Sequence, residues 1–82
     1  MRKETKDILK LLEKAGFSDK ESAMYIALLT LGRGTVSDIT REASIGRTYG
    51  YPILDGFVSK GLAQISGKEP KKEYYSLSPR TL

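Results

Sequence analysis

Apolar positions recur at helical spacing through the first three-quarters of the chain and at strand spacing after it. Ile8, Leu9, Leu11, Leu12 and Ala15 share one face of a helix predicted over residues 5–15, closed by Gly16. Lys6, Lys10 and Lys14 fall on another face as a solvated stripe. Met24, Ile26, Ala27, Leu28, Leu29 and Leu31 then run around much of a helix circumference, which predicts the central core helix. Ser18 and Glu21 have the spacing of a capping box at its start, and Gly32 ends it. Arg33-Gly34 is predicted as the turn that leaves it. Thr35 caps a short helix with Val36, Ile39 and Ala43 facing inward and Asp38 as the acidic partner in its first turn. The turn at residues 43–46 is too short for an antiparallel return, so the next helix crosses steeply. That helix opens with Arg47, Thr48 and Tyr49, buries Leu54, Phe57 and Val58, and stops at Lys60-Gly61. After Gly61 the period falls to two in LAQIS and again in EYYSL, predicting a hairpin. Its long loop is punctuated by Gly67 and Pro70, and Ser78-Pro79 ends the second strand.

This order predicts a mainly α fold with a small β-hairpin: a winged helix-turn-helix of four helices plus a two-stranded wing. Residues 1–15 form a leading helix available for a dimer contact, residues 16–79 the winged helix-turn-helix domain, and residues 80–82 a tail.

Composition narrows the chemistry. Eighty-two residues allow one small domain with one core. With no cysteine and no histidine, disulfides, thiolate chemistry, Cys/His zinc sites and His-based triads are excluded. The acids are scattered among lysines, so no metal site and no cofactor are expected. Glu69 and Glu73 lie on the hairpin with nothing to raise a pKa and do not make a catalytic dyad, so an enzyme is not expected. The net charge of +4 is uneven: residues 1–40 carry seven basic and six acidic side chains, residues 41–82 seven and four. The excess lies with the fourth helix and the hairpin, which suits a polyanionic partner. Acids and lysines break up any signal-peptide core, and the Met24–Leu29 run is far too short to span a bilayer, so a cytoplasmic protein is expected.

The stretch from Gly16 to Pro79 resembles the N-terminal winged-helix domain of the TrmB family of transcriptional regulators, found mainly in archaea. The resemblance rests on SDKE and the following Tyr25 and Leu28-Leu29, on Arg47, Thr48, Tyr51, Leu54 and Asp55, on Lys60-Gly61-Leu62, and on PKKEYYSLSP. It implies a homodimeric DNA-binding repressor or activator. Larger members add a C-terminal sugar-binding domain, and none is found in these residues, so no small-molecule effector site is expected. Two positions depart from the family: Gly50, usually apolar, and Pro52, usually not proline. Pro52 lacks an amide hydrogen and crowds the carbonyl four residues back, so a late or distorted start of the fourth helix is expected. Gly50 adds looseness.

On a duplex, the amino-terminal turn of the fourth helix meets the bases. Arg47 matches the O6 and N7 acceptors of guanine, and Thr48 and Tyr49 stand beside it for base contact. Thr35, Ser37, Tyr51, Lys68, Lys71 and Lys72 are the candidates for the DNA backbone, the three lysines at the hairpin tip. Each has a plainer role: Arg47 pairing with Glu42, the tyrosines as half-buried core, Thr35 and Ser37 as capping residues, the lysines as loop charge. Tyr74 and Tyr75 offer rings to a single strand, but adjacent strand residues face opposite ways, so only one is expected outside the core. The expected partner is double-stranded DNA, bound sequence-specifically by a homodimer at the nucleoid. The alternatives are a winged-helix protein–protein module without DNA binding, and a single-stranded nucleic-acid binder.

Overall fold

Two capping boxes start the scaffold. Ser18 Oγ accepts from the Glu21 amide at 3.1 Å while Glu21 Oε1 accepts from the Ser18 amide at 2.9 Å. Thr35 and Asp38 repeat the exchange at 3.2 and 3.1 Å. The computed structural model describes residues 3–68 and 71–77, with side chains from Asp7 onward. Pro70, Ser78-Pro79 and the tail at 80–82 lie outside the described residues. The elements are α1 (Lys3–Lys14), α2 (Asp19–Leu31), β1 (Arg33–Gly34), α3 (Val36–Ala43), α4 (Arg47–Ser59), β2 (Ala63–Ser66) and β3 (Glu73–Ser76).

The core forms where α2, α3 and α4 meet the small sheet. Met24, Leu28, Ile39, Leu54, Phe57 and Tyr74 are its largest fully buried side chains. Burial of each aliphatic or aromatic member contributes about 1.5–3 kcal/mol relative to exposure. Phe17 stacks on Phe57 at 5.7 Å between ring centroids, and Tyr25 meets Phe57 edge-on at 5.6 Å. This cluster ties the α1–α2 link to α4. α1 buries Leu12 and packs Ile8 beside it, whereas Leu11 is 66% exposed, so only part of the predicted apolar face serves this core. Between α1, α2 and the end of α3 runs an apolar groove of about 420 Å³, lined by Leu9, Ala23, Ile26, Ala27 and Ala43.

The predicted hairpin, β2 and β3, forms the two-stranded wing, and a third strand joins its sheet. Arg33-Gly34, predicted as a turn, is a short strand whose partner is β3, and the sheet order is β1-β3-β2, antiparallel throughout. Gly34 opposes Tyr74, and Ile65 opposes Tyr74 from the other side. Gly32, at φ +80°, turns the chain back along the end of α2, and its carbonyl accepts from the Ser76 amide at 3.2 Å. Two residues show no alternation, so this strand exists only because β3 is there to pair with it.

For the fourth helix a late or distorted start is expected. It does not start late: α4 begins at Arg47 with Gly46 as its cap, and Pro52 lies inside it. Gly50 is a contact, not a looseness. A Cβ at Gly50 would stand 2.5 Å from Thr40 Cγ2 and 2.8 Å from Val36 Cγ1, so α3 and α4 cross with the glycine backbone against both side chains. That crossing requires a helical Gly50, and the helix therefore forms ahead of Pro52. Ser44 makes the intervening turn in the left-handed region, φ 57° and ψ 43°, and the Ile45 amide donates to Thr40 O at 2.9 Å.

Candidate nucleic-acid interface

The amino ends of the three helices described around the turn differ in charge. α2 and α3 each start with a side-chain cap and acids in the first turn, which satisfy the open amides and oppose the positive end of the helix dipole. α4 has neither: Gly46 supplies no side-chain cap and no acid stands in its first turn. Its first three residues are Arg47, Thr48 and Tyr49, all exposed. The opposite end of α4 is anchored by buried Leu54 and Phe57. α4 thus presents an arginine-led end without a side-chain cap to solvent.

The side chains at this end are already organised. Arg47 Nη2 donates to the Tyr51 hydroxyl at 3.3 Å, and its guanidinium carbon lies 6.0 Å from the Tyr51 ring centroid. One turn of helix separates the two, the spacing at which side chains meet. Tyr51 is half-buried against the core while Tyr49 is 54% exposed, so the two tyrosines have different surroundings. Lys20, from the first turn of α2, places its Nζ 5.0 Å from the Tyr49 ring centroid. Sequence reasoning missed Lys20, because SDKE reads locally as a capping box and nothing in its spacing relates it to α4.

Thr35 caps α3 and Ser37 stands half-exposed in its first turn. In the wing, Lys68 and Lys71 are exposed where the chain reverses, with the Lys71 amide donating to Lys68 O at 2.8 Å. Lys72 is drawn inward: it is half-buried and its Nζ lies 5.2 Å from the Tyr74 ring centroid. Tyr74 is fully buried and its hydroxyl donates to Asp55 Oδ1 at 2.7 Å, which fastens β3 to α4. Burial first, then this hydrogen bond, push the Tyr74 hydroxyl pKa above its ordinary value. Tyr75 is half-buried on the other face of the strand. Glu73 accepts from Arg33 Nε and Nη2 at 3.2 and 3.0 Å, joining β3 to β1.

Among the described residues, no group of three or more Asp and Glu is placed to hold a metal ion, and no helix is long and apolar enough to cross a membrane.

Comparison with known proteins agrees with this architecture. The model of the family described as sugar-specific transcriptional regulator TrmB matches residues 12–80. The chain belongs to the TrmB family. One curated relative is the HTH-type sugar sensing transcriptional regulator TrmBL1 of Pyrococcus furiosus, 35% identical over 65 residues. That match covers 79% of this chain and 19% of the relative, so the chain spans about a fifth of the relative's length. Among solved structures, the archaeal chromatin protein TrmBL2, described as showing a novel mode of DNA binding, superposes with a TM-score of 0.80. It is 19% identical, over 93% of this chain and 30% of TrmBL2. A MarR family transcriptional regulator from Silicibacter pomeroyi superposes with a TM-score of 0.71 at 15% identity, over 94% of this chain and 53% of that one. Both share the winged-helix fold.

Proposed function

We propose that this TrmB-family chain is the duplex-reading part of a transcriptional regulator that binds double-stranded DNA sequence-specifically. The observation that carries this is the amino end of α4, uncapped, free of acids in its first turn and led by Arg47, while the helices around it are capped and acidic. An uncapped helix end favours anions, and an arginine fork there fits guanine. In this reading α4 lies in the major groove with Arg47, Thr48 and Tyr49 toward base edges. Thr35, Ser37 and Tyr51 hold the adjacent backbone, and Lys68, Lys71 and Lys72 bring the wing to backbone or minor groove. The regulator acts as a homodimer at the nucleoid, its half-sites about one helical turn, roughly 34 Å, apart. The sugar specificity in the family description is not carried over to these residues.

Burial of Tyr74 counts against the single-strand alternative, because it removes one of the two rings a stacking platform would need. The deciding experiment is selection of bound duplexes from a random pool, followed by titration of the selected duplex against increasing salt. Enrichment of a two-fold symmetric motif, with affinity falling steeply in salt, is the expected result. A protein that recovers no duplex above background is not a DNA reader.

A further inference from the structure

We infer that Lys20 of α2 is a phosphate ligand of the same interface, held in place by Tyr49, so that the DNA footprint continues past α4 onto the first turn of α2. This inference rests on the duplex-binding reading above. Lys20 and Tyr49 are far apart in the sequence, yet the fold sets Lys20 Nζ 5.0 Å from the Tyr49 ring centroid. Tyr49 is on the first turn of α4 and 54% exposed, so its ring holds the ammonium at the edge of the reading end. An exposed cation–ring contact is weak, about 0.5–1 kcal/mol, and uses none of the ammonium hydrogens as conventional donors. All three therefore remain for phosphate oxygens. The ring limits where the flexible lysine stem can go, which reduces the entropy lost on binding.

The two acids beside Lys20 do not cancel it. Glu21 is folded back onto the Ser18 amide at 2.9 Å, and among the described residues neither acid forms an ion pair with Lys20. Arg47 and Tyr51 form a similar cation–tyrosine pair one turn along α4. The reading end thus carries two ring-supported cations, one on each of two helices. A phosphate contact made from α2 adds affinity without reading sequence.

The test is fluorescence anisotropy with a labelled random-sequence duplex and with the selected duplex, across about 50 to 200 mM salt. Lys20→Ala is expected to lower the slope of log affinity against log salt by about 0.9 on both duplexes. The wild-type advantage then shrinks about 3.5-fold across that salt range. Lys20→Arg restores the slope, and Lys10→Ala, on the exposed stripe of α1, leaves it unchanged. Tyr49→Phe, which keeps the ring, retains the Lys20 contribution. Circular dichroism checks that each variant is folded. An unchanged slope for Lys20→Ala, with wild-type protein binding duplex, overturns this inference alone. Absence of salt-sensitive binding by the wild type overturns the duplex-binding reading and this inference with it.

Discussion

The Tyr74 hydroxyl donates a 2.7 Å hydrogen bond to Asp55 Oδ1, joining the middle strand of the sheet to α4. Tyr74 is wholly buried between β1 and β2, and Asp55 stands at the exposed edge of α4. The bond thus links the two parts proposed to grip DNA. Tyr74→Phe should lower stability by about 1 kcal/mol, read as a lower urea midpoint with an unchanged slope. The Tyr74 pKa is raised by burial and by Asp55, so its contribution is complete below the ordinary tyrosine value of about 10 and is lost as pH rises through the higher folded value. In Tyr74→Phe the alkaline decline should be shallower. An identical alkaline limb in both proteins would assign that loss to other groups.

Gly50→Ala should destabilise the protein although alanine is the better helix former. The helix-propensity gain is about 1 kcal/mol, while the new Cβ would stand 2.5 Å from Thr40 Cγ2, and overpacking costs typically 1–3 kcal/mol. Thr40→Ser removes that methyl and keeps the hydroxyl that donates to Val36 O at 2.8 Å. The double variant should recover part of the loss. Additive losses in a double-mutant cycle would show that Gly50 and Thr40 do not compete for the same space.

Pro52→Ala should stabilise α4. Proline cannot donate to the Thr48 carbonyl, and it costs about 3 kcal/mol in a helix interior, offset by roughly 1 kcal/mol from a stiffer unfolded chain. A gain of roughly 2 kcal/mol in thermal or urea denaturation is expected. No gain would show that the Thr48 carbonyl already has a partner of equal strength.

Acid should destabilise the fold through its capping boxes. Glu21 and Asp38 are both held below their ordinary carboxyl pKa, each first by the backbone amide of its own cap, Ser18 or Thr35. A lowered carboxyl pKa means that this stability is complete above the unfolded value, near 4, and falls as pH drops through the folded one. Glu21→Gln and Asp38→Asn should each flatten the acid limb of a plot of urea midpoint against pH. A limb of unchanged steepness in the double variant would point to other carboxylates.

Arg47→Ala should cost roughly 1–3 kcal/mol of binding and relax base preference at one position of the selected site. Tyr51→Phe removes the hydroxyl to which Arg47 donates at 3.3 Å and should produce a smaller loss in the same direction. If Arg47→Ala keeps full selectivity, the base contact lies elsewhere on α4.

The chain order made the helices, both capping boxes, the glycine stops and the paired β-runs legible, because each depends on residues within a turn or two of one another. It also placed Arg47, Thr48 and Tyr49 at a helix start, and one of Tyr74 and Tyr75 in the core. Three features were not legible: the strand at Arg33-Gly34, the close approach at Gly50, and the Lys20–Tyr49 pair. Each joins residues distant in the chain, and local spacing says nothing about such a partner.

Pro52 shows where the boundary lies. Local rules weigh its missing amide and crowded ring and predict a late or distorted start to the helix. In the folded domain Gly50 packs on Thr40 and Val36, and Leu54 and Phe57 are buried further along, so helix is favoured from Arg47 onward. Amino-acid order alone thus sufficed for which segments coil, where they stop and where the positive charge gathers, all short-range consequences of propensity, capping and period. The third strand, the close approach at Gly50 and the Lys20–Tyr49 pair were decided only when packing brought distant residues together. Burial and pairing between distant segments there outweigh the preferences of any single stretch.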